Sequence, residues 1–430
     1  MEKPRILIGL GEVCGYGANL KKGFRQLGVE CDLIDMFDHR FKYGGDDTNL
    51  LVRWLRWLLV KRVDTPQSQS FRRAFWYSVY LLSMLLLLLW ALPRYDAFIF
   101  LTRVTFLKHY DLPLLKLLNK KIVFIYPGTE RAPYICGSHM ELGAKSLTTE
   151  QCIRVAEEKK KSIHTMDKYA DVLIDYPPTG HFHERPFVLS VVVPYEDDFE
   201  QEINERDNHR GSVRILHAPS NPKYKGTSKI REVIKALESK GHSIEFVEII
   251  EKPHSVVLEE LLRCDFVVDE LYNDSPLGTL GTEAAFHGKP TITGGYYAEQ
   301  IYKDIQADWI PPSHFCHPDE IEQAIEKMIV DKDYRLELGR KAKAFVETHC
   351  SPKQIASQYL QLIEGNVPQE WLYDPKDIRY LHGCSISESR AREVVRAVIE
   401  KGGVGALQLE DKPGLRDMFV AFAFDQESEC

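Results

Sequence analysis

The chain lacks the marks of a secreted, metal-stapled or nucleic-acid-binding protein. Its nine cysteines (Cys14, Cys31, Cys136, Cys152, Cys264, Cys316, Cys350, Cys384 and Cys430) include no Cys-x-x-Cys pair, the spacing that a zinc ribbon or disulfide framework needs. An odd number of scattered thiols points to a reducing cytoplasm. Met1-Glu-Lys-Pro-Arg5 runs into a strand-like segment without an apolar signal core, which leads to the same expectation. Positive charge is not in excess: Lys+Arg 55 against Asp+Glu 63 leaves −8, whereas a chain-wide nucleic-acid binder is basic. There is no low-complexity tract, and no internal repeat beyond two similar halves. With 44% hydrophobic and 27% charged residues the balance is globular, and 430 residues suffice for two or three domains.

A further absence is local. From Ala74 to Leu92 there are nineteen residues without a charge, enough as a helix to cross a hydrocarbon core of about 30 Å. A single crossing would put the flanking strands of one sheet on opposite sides of a bilayer, so docking in the membrane interface is the preferred expectation. Internal packing and a true span are its rivals. The preceding stretch, Leu51 to Arg73, supports docking. It carries Arg53, Arg56, Lys61, Arg62, Arg72 and Arg73 against Asp64, a net +5, and Trp54, Trp57, Trp76 and Tyr77 lie in or just after it. Cations interleaved with aromatics suit an anionic headgroup layer. The expected localisation is therefore cytoplasmic and peripheral, on the inner face of the membrane.

Short continuously apolar runs alternate with helical patterns along the rest of the chain. Arg5–Gly9, Cys31–Phe37, Ala97–Leu101, Lys121–Tyr126, Asp171–Asp175 and Phe187–Val193 read as strands, as do Val213–His217, Ile244–Ile249, Asp265–Asp269 and Pro290–Thr293. Strands of this kind predict parallel sheets covered on both faces. Between the two sets, Tyr195 to Arg210 holds seven acids and two arginines, net −5, and reads as a linker. The expected fold class is α/β, two tandem Rossmann-like domains with a cleft between them and a C-terminal α/β extension. The expected boundaries are 1–195 with a membrane-associating segment at 51–92, a linker at 196–211, 212–350, and C-terminal helices and extension over 351–430.

Three glycine-bearing turns carry the chemistry. Gly9-Leu-Gly11-Glu-Val-Cys-Gly15-Tyr16-Gly17 follows the first strand and opens a helix. Such amides can approach an anion closely, although the spacing is not the dinucleotide G-x-G-x-x-G. Contact with a substrate between the domains and a purely structural turn are both open. In His217-Ala-Pro-Ser-Asn-Pro-Lys-Tyr-Lys225-Gly226-Thr227, Lys225 stands just before a helix, placed to neutralise a diphosphate or merely to be a solvated helix entry. In Gly278-Thr279-Leu-Gly281-Thr-Glu283, Glu283 suits two ribose hydroxyls at the carboxyl end of the sheet, or caps its own helix. Glu130, Arg131, His109 and Asp111 are first-half polar groups able to orient an acceptor hydroxyl. His181 and His183 have metal-like spacing but no accompanying acid or cysteine cluster.

Together these pieces resemble the retaining glycosyltransferases of family 4, the "glycosyl transferases group 1" kind with GT-B architecture. The matching residues are the His217 strand ending in Ala-Pro-Ser-Asn, Lys225-Gly226-Thr227, Pro253-His254, Cys264-Asp265-Phe-Val-Val-Asp269 and Gly278-x4-Glu283-Ala-x-x-x-Gly288-Lys-Pro290. In the first half, Gly15-Tyr16-Gly17-Ala-Asn19-Leu resembles the acceptor-side loop. Tyr95-Asp96, Asp111-Leu-Pro113-Leu-Leu-Lys116 and Gly128-Thr-Glu130-Arg131 resemble bacterial surface-polysaccharide members. The resemblance implies that Lys225 holds the donor diphosphate, Glu283 the ribose, and Gly278 and Thr279 the sugar end. Ser275 stands eight before Glu283, where the family has a second glutamate, with Asp274 beside it. Lys223 is the only other cation of the Lys225 loop, and Pro127 replaces a common histidine.

The expectation is thus a glycosyltransferase moving a sugar from a nucleoside diphosphate donor to a lipid-linked or polysaccharide acceptor, with retention, needing no bound cofactor and no metal. Its partners would be the donor, a lipid-linked or glycan acceptor and an anionic membrane surface, with no nucleic acid. Two alternatives stand beside it: a nucleotide-sugar epimerase, and a non-catalytic glycan-binding or scaffold subunit.

Overall fold

A computed structural model describes residues 3–36, 50–66, 69–126, 128, 131–136, 147–197, 211–383 and 386–424. Two sheets divide the chain. The first is built from β1 (Ile6–Leu10), β2 (Cys31–Asp35), β3 (Ala97–Phe100), β4 (Lys121–Ile125), β5 (Val172–Asp175) and β6 (Phe187–Leu189), all parallel, in the order β6-β5-β4-β3-β1-β2. The second holds β7 (Val213–His217), β8 (Ile244–Glu248), β9 (Phe266–Val268), β10 (Thr291–Gly294) and β11 (His314–Cys316), in the order β11-β10-β9-β7-β8, again parallel. Each is a doubly wound Rossmann-like sheet whose strand order reverses beside its first strand, and open sheets of this kind bind ligands at that switch point.

The alternation of buried residues explains the first sheet. Ile6 and Ile8 face one core cluster together with Ala97, Ile99 and Val123, while Leu7, Phe98, Phe100 and Phe124 face another. Helix α1 (Tyr16–Gln26) covers the first face. The opposite face is covered by α2 (Leu50–Asp64), α3 (Ser70–Ala91), α4 (Leu112–Leu117) and α5 (Thr149–Tyr169). Helix α5 begins in a reciprocal capping box. Gln151 N donates to Thr148 Oγ1 at 3.3 Å, and Thr148 N donates to Gln151 Oε1 at 2.8 Å. In the second domain α6 (Thr227–Ser239), α7 (His254–Arg263) and α8 (Thr279–Phe286) connect the strands, followed by α9 (Ile321–Val330) and α10 (Lys332–His349).

The apolar run folds as α3, which pairs with α2 as a hairpin between β2 and β3. Ser83, Met84, Leu87, Leu88 and Ala91 are buried, meeting Val52 and Leu55 of α2 in the core. Its other side is bare: Phe71, Phe75, Leu82, Leu86 and Leu89 are 95, 59, 60, 51 and 52% exposed. Helix α3 is long and apolar enough to cross a membrane, with 28% of its most hydrophobic window buried. Because β1 pairs with both β2 and β3, the two ends of the hairpin return to one sheet.

The segment after the second domain does not hang free. Helix α11 (Pro352–Ile363) packs on α1, so closely that a Cβ at Gly23 would lie 1.9 Å from the Pro352 carbonyl. Strand β12 (Leu372–Tyr373) then adds antiparallel to β6. Helices α12 (Glu388–Gly402) and α13 (Pro413–Phe424) join the core on the α5 side. The expected extension is therefore structurally part of the first domain. Most of the expected linker, residues 198–210, lies outside the described residues.

Candidate functional site

A cavity of about 550 Å³ opens between the domains, and its walls are the carboxyl ends of both sheets. Val13 and Cys14 after β1 and Leu101 after β3 come from the first switch point. Ala218, Pro219 and Ser220 after β7 and Asp269 and Glu270 after β9 come from the second. The strand order thus turns both binding edges to one space.

On the second-domain wall the β7–α6 loop is tightly fixed. His217 is fully buried, with Nδ1 2.7 Å from the Val268 carbonyl and Nε2 2.8 Å from Thr227 Oγ1. A carbonyl only accepts, so Nδ1 carries the proton and Nε2 accepts from the threonine. Burial holds this ring below the usual histidine range. Gly226 enters α6 at φ 72°, with Leu271 Cβ 2.7 Å from where its own Cβ would stand; a side chain is excluded there on both counts. Lys225 follows from that turn and lines the cavity. Its Nζ lies 3.2 Å from Asp269 Oδ1 and 2.7 Å from Glu270 Oε1. Burial alone would lower its pKa, but the two carboxylates outweigh it and raise it. Burial, opposed by Lys225, pushes the Glu270 carboxyl up.

Glu283, 3% exposed, also lines the cavity, and its Oε1 accepts from His254 Nε2 at 2.9 Å. It is the fifth residue of α8, beyond the first turn, so the helix-capping alternative does not hold. Glu283 and burial act oppositely on His254, and the ion pair prevails, raising its pKa. Gly278 precedes α8, where a Cβ would come within 2.9 Å of Asp269 Oδ2. That oxygen is buried without a hydrogen-bond partner. Gly278, Thr279 and Ser275 all line the cavity, Ser275 with its Oγ 3.2 Å from the Leu277 carbonyl.

The glycine loop differs from expectation. The Glu12 carboxylate, 8% exposed, accepts from Val13 N at 2.8 Å, Gly17 N at 3.0 Å and Ala18 N at 2.9 Å. The α1 amides expected to receive an anion already hold one, supplied by the chain itself. Gly15, Gly17 and Asn19 do not line the cavity, whereas Tyr16 does, its hydroxyl 2.7 Å from that of Tyr359. Cys14, at φ 49°, lines the cavity from the same loop. The residue is exposed to the cleft, yet the protein packed around its thiol pushes the pKa up, against a bond to Thr279 and the charge of Lys225.

The acceptor-side residues separate. Arg131 lines the cavity, and Nη1 reaches Asp274 Oδ2 of the other domain at 2.6 Å. Tyr380 of the C-terminal segment donates to Asp274 Oδ1 at 2.5 Å. The acid beside Ser275 therefore turns away to clasp the domains. Asp111 is 1% exposed and absent from the cavity wall; it accepts from Thr105 Oγ1 at 2.7 Å, Phe106 N at 3.2 Å and Leu107 N at 3.1 Å. It orders the loop ahead of α4 and does not reach the cleft. His109 Nε2 lies 2.7 Å from the Arg103 carbonyl, also off the wall. Glu130 lies outside the described residues, as does Pro127.

The two histidines of Thr-Gly-His-Phe-His face different partners. His181 Nε2 is 2.6 Å from the Tyr380 carbonyl, and burial lowers its pKa to about 4. His183 stands between Asp167 Oδ1 at 2.9 Å and Asp175 Oδ2 at 3.0 Å. Burial would lower it, yet the two carboxylates raise it to about 9. Asp175 lines the cleft, but its oxygens are also used by Tyr176 N and the Thr179 hydroxyl. Sequence reasoning passed over Glu12, Cys14, Asp269, Glu270 and His254 as site residues. The Pro253-His254 pair ahead of a helix and the acidic end of β9 were the available signals.

No family model matches the chain, and no curated protein matches it. Among solved structures it is similar to Anabaena HepE in complex with UDP-glucose (11% identity, TM-score 0.46, 83% of this chain and 99% of that one). It is similar also to sucrose-phosphate synthase from Thermosynechococcus elongatus (13%, 0.47, 85% and 99%). A third similar structure is a UDP-N-acetylglucosamine 2-epimerase (12%, 0.40, 86% and 98%).

Proposed function

We propose that the protein is a glycosyltransferase that takes a sugar from a nucleoside diphosphate donor and passes it, with retention, to a lipid-linked or glycan acceptor in surface glycan synthesis. The observation that carries the reading is the meeting of Lys225, Glu283 and the α8 N-terminus on one wall of a cleft bounded by both switch points. Glu283 would hold the ribose, with His254 fixing one of its oxygens. Lys225 would meet the diphosphate, exchanging its contacts to Asp269 and Glu270 for phosphate oxygens. Gly278, Thr279 and Ser275 would line the sugar. Negative charge growing on the leaving diphosphate is stabilised by the ammonium and the helix terminus, preset and partly dehydrated. In a retaining transfer the leaving diphosphate can itself receive the acceptor proton, so the clamp and not a side-chain base is the requirement. Arg131 and Tyr16 would face the acceptor across the cavity.

The hairpin α2–α3 supports attachment to the cytoplasmic face of an anionic membrane. Its bare leucines and phenylalanines stand beside the basic residues of Leu51–Arg73, and its ends return to one sheet, which suits an interface and not a crossing. Thermal-shift titration with UDP-, GDP- and ADP-sugars tests the donor reading. A bound donor at 100 times its Kd adds about 2.7 kcal/mol, and Glu283→Ala should abolish that response. Stabilisation by none of the three, or full transfer by Glu283→Ala, overturns it.

A further inference from the structure

Two adjacent acids share one cation on the second-domain wall of the cleft. Asp269 and Glu270 follow β9, and Lys225 Nζ lies 3.2 Å from Asp269 Oδ1 and 2.7 Å from Glu270 Oε1. The acid side chains are 1 and 17% exposed and that of Lys225 is 19% exposed, so solvent screens the three groups little. Among the described residues no other cation is paired with either acid. The pair is short of donors even so, because Asp269 Oδ2 is buried without a hydrogen-bond partner. Both acids face the start of α8, where a Cβ on Gly278 would stand 2.9 Å from Asp269 Oδ2 and 3.3 Å from Glu270 Oε1. A third acid, Asp274, acts on Glu270 from the loop ahead of α8, but is itself paired with Arg131 at 2.6 Å. From the first domain the Cys14 thiol faces Lys225.

A diphosphate at Lys225 changes this balance. Once the ammonium turns to phosphate oxygens, two carboxylates are left side by side in a buried site that has gained further negative charge. Carboxylates sharing such a site raise each other's pKa until one holds a proton. Burial already pushes the Glu270 carboxyl up, and Lys225 is the main group opposing that. We propose that Glu270 is a positioning residue for the donor: it holds Lys225 Nζ at the cleft wall while the site is empty, and takes a proton from solvent as the diphosphate draws the ammonium away. The inference rests on the donor reading of Lys225 and adds that donor binding is coupled to a proton. That proton returns to the acid pair the positive charge that the diphosphate removed. Because the bound state holds one proton more than the empty one, affinity rises as pH falls, by at most about tenfold per unit.

Isothermal titration calorimetry of the full chain with UDP-glucose, GDP-mannose and ADP-glucose tests this, in Pipes and in Tris at pH 7.5. These diphosphate diesters do not titrate near neutrality, so the difference in heat between buffers of low and high ionisation enthalpy counts protons taken by the protein. The wild type should take up as much as about one proton per donor bound. Glu270→Gln keeps an oxygen for Lys225, and should lose that uptake and bind at pH 8.5 at least as tightly as wild type. His254 is the other cleft group that titrates here, raised by Glu283. His254→Gln should keep the uptake even where it binds more weakly, and its loss there overturns the proposal. Equal uptake by Glu270→Gln and wild type also overturns it. A donor bound by wild type without proton uptake overturns the role of Glu270 and leaves the donor reading standing, whereas binding of none of the three overturns both.

Discussion

Replacing His183 by glutamine should remove a pH dependence of stability that the buried Asp167–His183–Asp175 cluster gives the first domain. Both ring nitrogens face carboxylate oxygens, at 2.9 and 3.0 Å, and the ring is 1% exposed. Burial pushes toward the neutral ring, but the two acids prevail, raising the pKa from 6.5 to about 9. Because the folded value exceeds the unfolded one, the stabilisation is complete below about pH 6.5. It declines as pH rises, and is gone above about 9. At 1.36 kcal/mol per unit the difference is at most about 3 kcal/mol. Burial also raises the Asp175 carboxyl, an opposing contribution that makes this an upper figure. For a large domain, about 2–4 °C per kcal/mol converts it to a melting shift of up to about 10 °C. The assay is thermal and guanidinium unfolding of wild type and His183→Gln at pH 6, 7.5 and 9.5. The gap between the proteins should be wide at pH 6 and should narrow toward pH 9.5. An equal gap at all three values would mean that the ring is neutral in the folded state, and the reasoning would be wrong.

Asp274→Ala should cost about 3–5 kcal/mol, since it leaves the Arg131 guanidinium buried without its acid. Tyr380→Phe, which removes one hydrogen bond to the buried carboxylate, should cost less, about 1.5–3 kcal/mol, and guanidinium midpoints of the two variants should differ accordingly. At the hairpin, each basic residue near an anionic surface contributes about 1 kcal/mol. Arg72→Gln with Arg73→Gln should therefore weaken binding to phosphatidylglycerol vesicles by roughly 30-fold. Flotation measured at 50 and 300 mM salt checks this, and equal binding by the double variant removes the electrostatic part of the docking.

The sheets were legible because a doubly covered parallel strand is apolar on both faces, as in Phe98–Phe100 and Phe266–Val268. Val213–His217 agrees residue for residue with its sequence reading. Helix α5 was overlooked despite the Thr148–Gln151 capping box at its start. The cleft's position followed from Lys225 and Glu283 beside strand ends. Their partners did not, because Glu283 meets His254 across 29 residues and Asp274 meets Tyr380 across 106; only tertiary packing pairs such groups. Asp111 and the glycine loop show the opposite case. An acid beside a proline and the amides of a glycine-rich turn suggested ligand work, but Asp111 is claimed by its own turn's amides and the loop amides by Glu12.

The return of residues 352–424 onto the first sheet makes the second domain an insertion, held by two crossings that touch where Tyr195 N donates to the Cys350 carbonyl at 2.9 Å. During synthesis the first domain cannot close when its six parallel strands have emerged, since the face of α1 around Gly23 waits for α11. The inserted domain is thus complete before its host, reversing the usual N-to-C order of maturation.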